Sequence, residues 1–576
     1  MKTGVLICIV PALTALSVAA PAQVPGPAEI ERISKSGATL GVEVTEKFPL
    51  REQRISNDTG INVLIDLSHQ ANFFTMWRLP GMLRREGFRV SGSQASLDTV
   101  LTPGGKSRIR IPAGGRRPFA WWPNPRYNLV ITFQADPRAQ QYLAGEIDAI
   151  KEYINSGGGL VILGGRVSRG GLDNWPLNKL ARRFGAAFTG DSDTLEGVRM
   201  PVLKLSQQWR AFARGAKGEP VIARREYGKG RIVVIGSSGY LESKRDRSRN
   251  SQPSESGEIP SVAEMLKWVA AGSPPVGGTR RLPAEAAGGG PIYPELTKRI
   301  GNVVVYYARN QKEELLDCIE KDMPLVKSKV EAWLPSRAPD EPMNLILSAG
   351  GGGGWAVNAY LPKEVGIISL SKAGVLSVFA HELAHTMGGP PNDRGELAGN
   401  WPQGNQGESH AGWFQGKAAA LPTGRRVSHQ PNKLFEFDKD ANALDLALSS
   451  RANSEKWGKG REWTKIWWVW QKLDDRYGPT WYPRWRWVQH TRRRDQSGRR
   501  LSWDETVEDM SIAVGEDLFP FFRRIGTTLE KERFPGAVFE GKKIELPVAP
   551  LDVTRAGPVR LEPIGNYKEP LVIKPR

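Results

Sequence analysis

Five consecutive residues, His381-Glu382-Leu383-Ala384-His385, constrain this chain more than any other stretch. Two imidazoles four positions apart lie on one face only if the backbone is helical. The flanking residues agree. Ser371 is a cap, and Val375, Leu376, Val378, Phe379, Leu383, Ala384 and Met387 recur at helical spacing. Gly388-Gly389 followed by Pro390-Pro391 ends the helix. On that helix His381 and His385 can both reach one zinc ion at about 2.1 Å. Glu382 stands beside them, where a carboxylate can take a proton from water. H-E-x-x-H is the pattern in which metallopeptidases combine these two tasks.

Two histidines leave a zinc site one protein ligand short. The metzincin spacing would place that ligand three residues after Gly388, at Pro391, which has no donor atom. A glutamate from a following helix is the remaining common solution. Glu396 lies among Pro390, Pro391, Gly395, Gly399 and Pro402, a loop composition. Glu408 opens Glu408-Ser409-His410-Ala411-Gly412-Trp413-Phe414-Gln415, which can be helical, so Glu408 is favoured over Glu396. His410 is two residues from Glu408, and residues two apart on a helix face nearly opposite sides. An oxyanion donor is also expected, and His410, His429, Tyr477 and His490 are eligible.

The outer limits come from length and charge. At 576 residues the chain needs two or three domains. Residues 1–22 read as an export signal: Lys2, the apolar run Val5 to Val18, then Ala20-Pro21-Ala22. The expected location is secreted or periplasmic, with no membrane span after signal removal. Cys8 falls in the signal, so Cys318 is alone afterwards and an internal disulfide is excluded. Cys318 sits in an acidic amphipathic stretch, a poor setting for a thiolate nucleophile. A net charge of +19 favours anionic partners. For an exported chain without a nucleic-acid motif, anionic glycans or cell envelope fit better than nucleic acid.

Residues 58–275 alternate strands and helices, which predicts an α/β accessory domain, doubly wound on a mostly parallel sheet. A lead segment (23–57) precedes it, and a Pro/Gly/Ala-rich linker (276–291) follows. The glycine run 157–159 follows a helix and precedes a strand, so it reads as a helix cap rather than a phosphate loop. Asp66 and His69 follow the first strand and read as a polar strand end. Residues 292–540 are predicted to be a mainly α, α+β metal-binding domain, and 541–576 a β-prone tail.

Two resemblances add to this reading. Tyr153-Ile154-Asn155-Ser156-Gly157-Gly158-Gly159-Leu160-Val161-Ile162 resembles glutamine-amidotransferase-like α/β domains. Those enzymes use a cysteine nucleophile, and 58–275 contains no cysteine. The stretch from about Ile300 to Phe534 resembles the enhancin-like, mucin-degrading metallopeptidases, a gluzincin family. The residues that carry it are the H-E-x-x-H signature, Trp401 ahead of Glu408, and Gly515-Glu516-Asp517-Leu518-Phe519-Pro520-Phe521-Phe522-Arg523-Arg524-Ile525-Gly526. The resemblance implies a zinc endopeptidase fold, Glu408 as third ligand, a mucin-like glycoprotein substrate, and a substrate strand upstream of the metal helix. Gly350 to Gly354 and Trp355 occupy that upstream position, and glycines let two backbones approach closely. Gly353, Trp355 and Trp413 are therefore the expected substrate-binding residues.

Eleven of the nineteen tryptophans lie between Trp401 and Trp503. Trp481, Trp485 and Trp487 alternate with Arg484 and Arg486, a pattern that suits either core packing or sugar stacking. Arg492-Arg493-Arg494 reads as a solvated surface. Two rival functions use the same signature: a glycan- or cell-envelope-binding protein with a structural or decayed zinc site, and a zinc amidase acting on cell-wall peptides.

Overall fold

The computed structural model describes residues 41–43, 55–102, 104–110, 119–165, 172–247, 261–273, 292–333, 343–350, 353–357, 363–369, 371–386, 411–412, 415, 464–478, 480–493, 501–525, 527 and 529–551. The expected signal, the linker and most of the C-terminal tail lie outside them. The chain forms two compact units, one of Ala22–Asp317 with Pro342–Val375, the other of Met1–Pro21, Cys318–Glu341 and Leu376–Arg576. Among the described residues no helix is long and apolar enough to cross a membrane.

The first unit is mixed α/β and contains two sheets with parallel strands at their centres. The seven-stranded sheet uses β1 (Asn62–Asp66), β2 (Arg89–Ser93), β3 (Leu129–Gln134), β4 (Gly159–Gly164), β5 (Arg210–Arg214), β6 (Pro220–Tyr227) and β7 (Gly230–Ile235). Their order is β5-β6-β7-β4-β3-β1-β2, parallel from β7 to β2 and antiparallel at β5-β6 and β6-β7. The central strands are apolar on both faces, and each face is buried. Val63, Ile65, Ile131, Val161 and Val233 enter one core; Leu64, Val130, Leu160, Ile162 and Ile232 enter the other. Burial on both faces is what a parallel sheet covered by helices requires. Helix α1 (Leu79–Arg85) places Leu79 and Leu83 in the first core. Helices α2 (Leu97–Leu101) and α3 (Ala144–Asn155) place Leu97, Val100, Ile150 and Ile154 in the second.

The 157–159 run caps α3. Gly157 has φ +106°, Gly157 N donates to Ile154 O at 2.9 Å, and Gly158 N donates to Tyr153 O at 2.9 Å. A Cβ on Gly158 would collide with the Tyr153 ring, so the run also seats the chain tightly on its neighbours.

The five-stranded sheet uses β8 (Leu296–Ile300), β9 (Val303–Tyr307), β10 (Met343–Ser348), β11 (Gly354–Val357) and β12 (Lys363–Ile368), in the order β8-β9-β10-β12-β11. Here β9-β10-β12 is parallel, and β8 and β11 pair antiparallel at the two edges. This sheet begins after the predicted linker, yet it belongs to the same compact unit as the first. Gly350 shows one reason. It bridges to Ala71, where Ala71 N donates to Ala349 O at 2.6 Å, and a Cβ at 350 would collide with Ala71 O and the Ile368 side chain.

The second unit is mainly helical. It includes α4 (Thr464–Tyr477), α5 (Trp481–Arg492), α6 (Trp503–Val514) and α7 (Phe519–Arg524). Ser502 and Glu505 form a capping box at the start of α6, and Gly515 (φ +77°) ends it in the left-handed region. The Gly515–Gly526 element then buries Leu518, Phe519, Phe521, Phe522 and Ile525 completely. At about 1.5–3 kcal/mol per buried large apolar side chain, this element anchors the unit. Trp481 and Trp485 are core, stacked at 5.9 Å. The expected solvated arginines are largely sequestered: Arg492 and Arg493 pair with Glu508 and Asp509, and Arg493 also with Glu505. Burial lowers the pKa of Arg486 to about 9 against the opposing pull of Asp509.

Candidate metal centre

The signature lies on α8 (Lys372–Thr386). Ser371 caps it as expected, its hydroxyl accepting from Gly374 N at 3.1 Å. Val375, Leu376, Phe379, Ala380, Leu383 and Ala384 are buried, which fixes the helix and leaves the two imidazoles half-buried. His381 Nε2 and His385 Nε2 approach to 3.2 Å, with ring planes 75° apart. Two ligands of a tetrahedral zinc ion with bonds of about 2.1 Å are separated by about 3.4 Å. The two nitrogens thus converge as one ion requires. Glu382 is buried between them in sequence, 6% exposed.

A further residue orients His381. His381 Nδ1 is 3.1 Å from Gln415 Oε1, and Gln415 Nε2 donates to Ser377 Oγ at 2.6 Å. With the amide nitrogen committed to Ser377, Oε1 accepts from Nδ1–H. That tautomer leaves the Nε2 lone pair for a metal. From sequence, Gln415 reads only as the end of a candidate helix; Ala411, Gly412 and Gln415 are helical. Ser377 has no chemical motif of its own. Its signal is its position one turn before His381.

Among the described residues no group of three His, Cys, Asp or Glu gathers to hold a metal ion. Glu396, Trp401, Glu408, His410, Trp413 and His429 lie outside them. Tyr477, an eligible oxyanion donor, gives its hydroxyl to Glu516 Oε2 at 2.6 Å; burial and that carboxylate push its pKa up. Gly353 is exposed with φ +124°, and its carbonyl accepts from Ile368 N at 2.8 Å. Trp355 is buried, its indole seated on Gly366. What β11 presents at the sheet edge is therefore backbone rather than the indole.

A second polar cluster closes the C-terminal ends of β1 and β3. His69 is fully buried, with Nδ1 2.7 Å from Asp66 Oδ2 and Nε2 3.3 Å from Glu146 Oε2. Tyr142 stacks on its ring at 3.8 Å. Thr132 Oγ1 donates to Asp66 Oδ2 at 2.6 Å. Burial pulls the His69 pKa down, but the Asp66 and Glu146 carboxylates overcome it and raise the value to about 10. Burial pushes Asp66 up, and the His69 charge and the surrounding donors bring it below the ordinary carboxylate value. With Asp66, His69, Thr132 and Glu146 all fully buried, this cluster acts as a strut rather than a reaction site.

No family model and no curated protein matches this chain. Solved structures give distant likenesses only. The exo-β-1,4-mannosidase Op5Man5 from Opitutaceae bacterium strain TAV5 is 13% identical over 34% of each chain, with a TM-score of 0.20. A cytoplasmic protein from Salmonella typhimurium LT2 is 14% identical, covering 31% of this chain and 88% of its own, with a TM-score of 0.21. Gan42B, a GH42 β-galactosidase, is 15% identical over 33% of this chain and 30% of its own, at 0.17. The chain thus spans about a third of the mannosidase and of the galactosidase. Similarity at this level carries no argument about function.

Proposed function

We propose that this protein is an exported zinc-dependent endopeptidase, acting on mucin-like, O-glycosylated proteins. The observation that carries the reading is the convergence of His381 Nε2 and His385 Nε2 at 3.2 Å, with His381 oriented by Gln415. His381 and His385 would hold the ion. Glu408, seven residues before Gln415, would complete the set on the family resemblance. Zinc, when bound, supplies Lewis-acid polarisation of the scissile carbonyl and of water. The Glu382 carboxylate takes a proton from the attacking water and returns it to the leaving amine nitrogen. Strand β11, the edge of its sheet, offers main-chain partners to an extended peptide. The choice of a glycosylated substrate rests on the family resemblance and on the positive charge.

Glu382→Gln tests the reading. The variant should retain one zinc per chain by elemental analysis and lose at least about a thousandfold in peptide turnover. Correctly folded wild type without bound zinc, or Glu382→Gln with undiminished turnover, would refute it.

A further inference from the structure

The segment between β1 and α1 carries an exposed ridge that folding does not explain. Phe74–Arg78 forms a π-helical turn in which Leu79 N donates to Phe74 O. Asn72 starts it: its Oδ1 accepts from Thr75 N at 2.9 Å. Pro80 follows in α1 and has no N–H to give to the preceding turn, a reason for the helix to widen there. The inner side, Phe74, Met76, Leu79 and Leu83, is buried in the core. The outer side shows Phe73 at 49% exposure and Trp77 at 36%. Their rings lie 5.1 Å apart with planes inclined by 39°. The Arg78 guanidinium sits over the Phe73 ring at 4.9 Å, and Arg85 is exposed at the end of α1. No carboxylate among the described residues pairs with Arg78 or Arg85.

Two adjacent exposed rings, with the Arg78 guanidinium over one of them and Arg85 exposed seven residues on, suit a partner that is apolar on one face and anionic at its edge. We propose that Phe73, Trp77, Arg78 and Arg85 form a subsite for a carboxylate-bearing saccharide. A pyranose ring lays its C–H face on an aromatic plane, while its carboxylate meets the guanidinium N–H groups. Two rings cover one or two sugar units but give little apolar area for insertion into a bilayer. The net charge of +19 has the complementary sign. The ridge starts two residues after Ala71, where the glycine-rich segment leading to β11 is pinned. That the saccharide is borne by a cleaved protein rests on the peptidase reading; the ridge's affinity for it does not.

The test uses the full-length Glu382→Gln chain, titrated calorimetrically with a sialylated O-glycopeptide, the same glycopeptide after desialylation, and the bare peptide. Adding Phe73→Ala with Trp77→Ala should cut the affinity ratio of glycosylated to bare peptide about tenfold. Arg78→Gln with Arg85→Gln should cut the ratio of sialylated to desialylated peptide. Both pairs are surface changes, and unchanged thermal melting confirms their folding. The subsite is overturned if the parent binds all three peptides equally, or if neither pair of substitutions moves its ratio. It is also overturned if both pairs diminish binding to phosphatidylserine vesicles and leave the glycopeptide ratios intact. Wild-type turnover of the bare peptide reports on the peptidase reading separately.

Discussion

At the scale of single residues, the proposed metal centre depends on which nitrogen of His381 carries the proton. Gln415 settles this through its oxygen, because its nitrogen is already given to Ser377. A glutamine cannot raise imidazole basicity as a carboxylate does, so its contribution is orientation and tautomer. Gln415→Leu removes the acceptor while keeping the volume similar. Zinc affinity, measured by competition with a chromophoric chelator, should fall about tenfold to a hundredfold. Gln415→Glu should restore it, since a carboxylate also accepts from Nδ1–H. If Gln415→Leu binds zinc as tightly as wild type, the contact is packing rather than support. Glu382, one position along the helix, should behave oppositely in the proposed reaction: its loss removes turnover and spares zinc.

At the scale of elements, the buried cluster at the ends of β1 and β3 shows what the sequence could and could not convey. The central strands were legible as continuous apolar runs, because both their faces are buried. The α8 helix and its Ser371 cap were legible from spacing. Asp66 and His69 were visible only as a local polar pair. Glu146, which completes the cluster, lies 77 residues beyond His69, and no local pattern connects the two. Glu146 Oε1 also accepts from Leu97 N and Oε2 from Leu143 N, each at 2.9 Å, so one carboxylate ties His69 to the starts of α2 and α3. Gln415 and the sequestered Arg492–Arg493 pair were hidden for the same reason: their partners come from other segments. The raised His69 pKa makes this strut pH-dependent. In the unfolded chain a histidine titrates near 6.5; in the fold it titrates near 10. Below pH 6.5 both states hold the proton and the stabilisation is complete. Between pH 6.5 and 10 only the native state holds it, and stability declines as pH rises. Denaturant midpoints should therefore fall from pH 7 to pH 10. His69→Gln should be less stable at neutral pH and should show a flatter profile. Parallel profiles for the two proteins would remove the imidazolium from this account.

At the scale of the whole molecule, the relevant quantity is the charge of +19, from 80 Lys and Arg against 61 Asp and Glu. The fold consumes part of this set: Arg89 pairs with Asp58, Arg309 with Asp98 and Glu295, and Arg492 and Arg493 with their acidic neighbours. The excess stays outside such pairs and generates a field that extends about 10 Å at 0.1 M salt and about 3 Å at 1 M. That field acts on the encounter step, so it alters kcat/KM more than kcat. If the proposed substrate is a sialylated glycoprotein, kcat/KM should fall about tenfold as salt rises from about 0.05 to 0.5 M, with kcat nearly constant. The desialylated substrate should show a much weaker dependence, because the partner charge is gone while the cleaved peptide is the same. Steady-state rates at four or five ionic strengths, on both substrates, separate steering from a general salt effect on the enzyme. Equal slopes for the two would mean that the charge serves solubility and does not recruit an anionic partner.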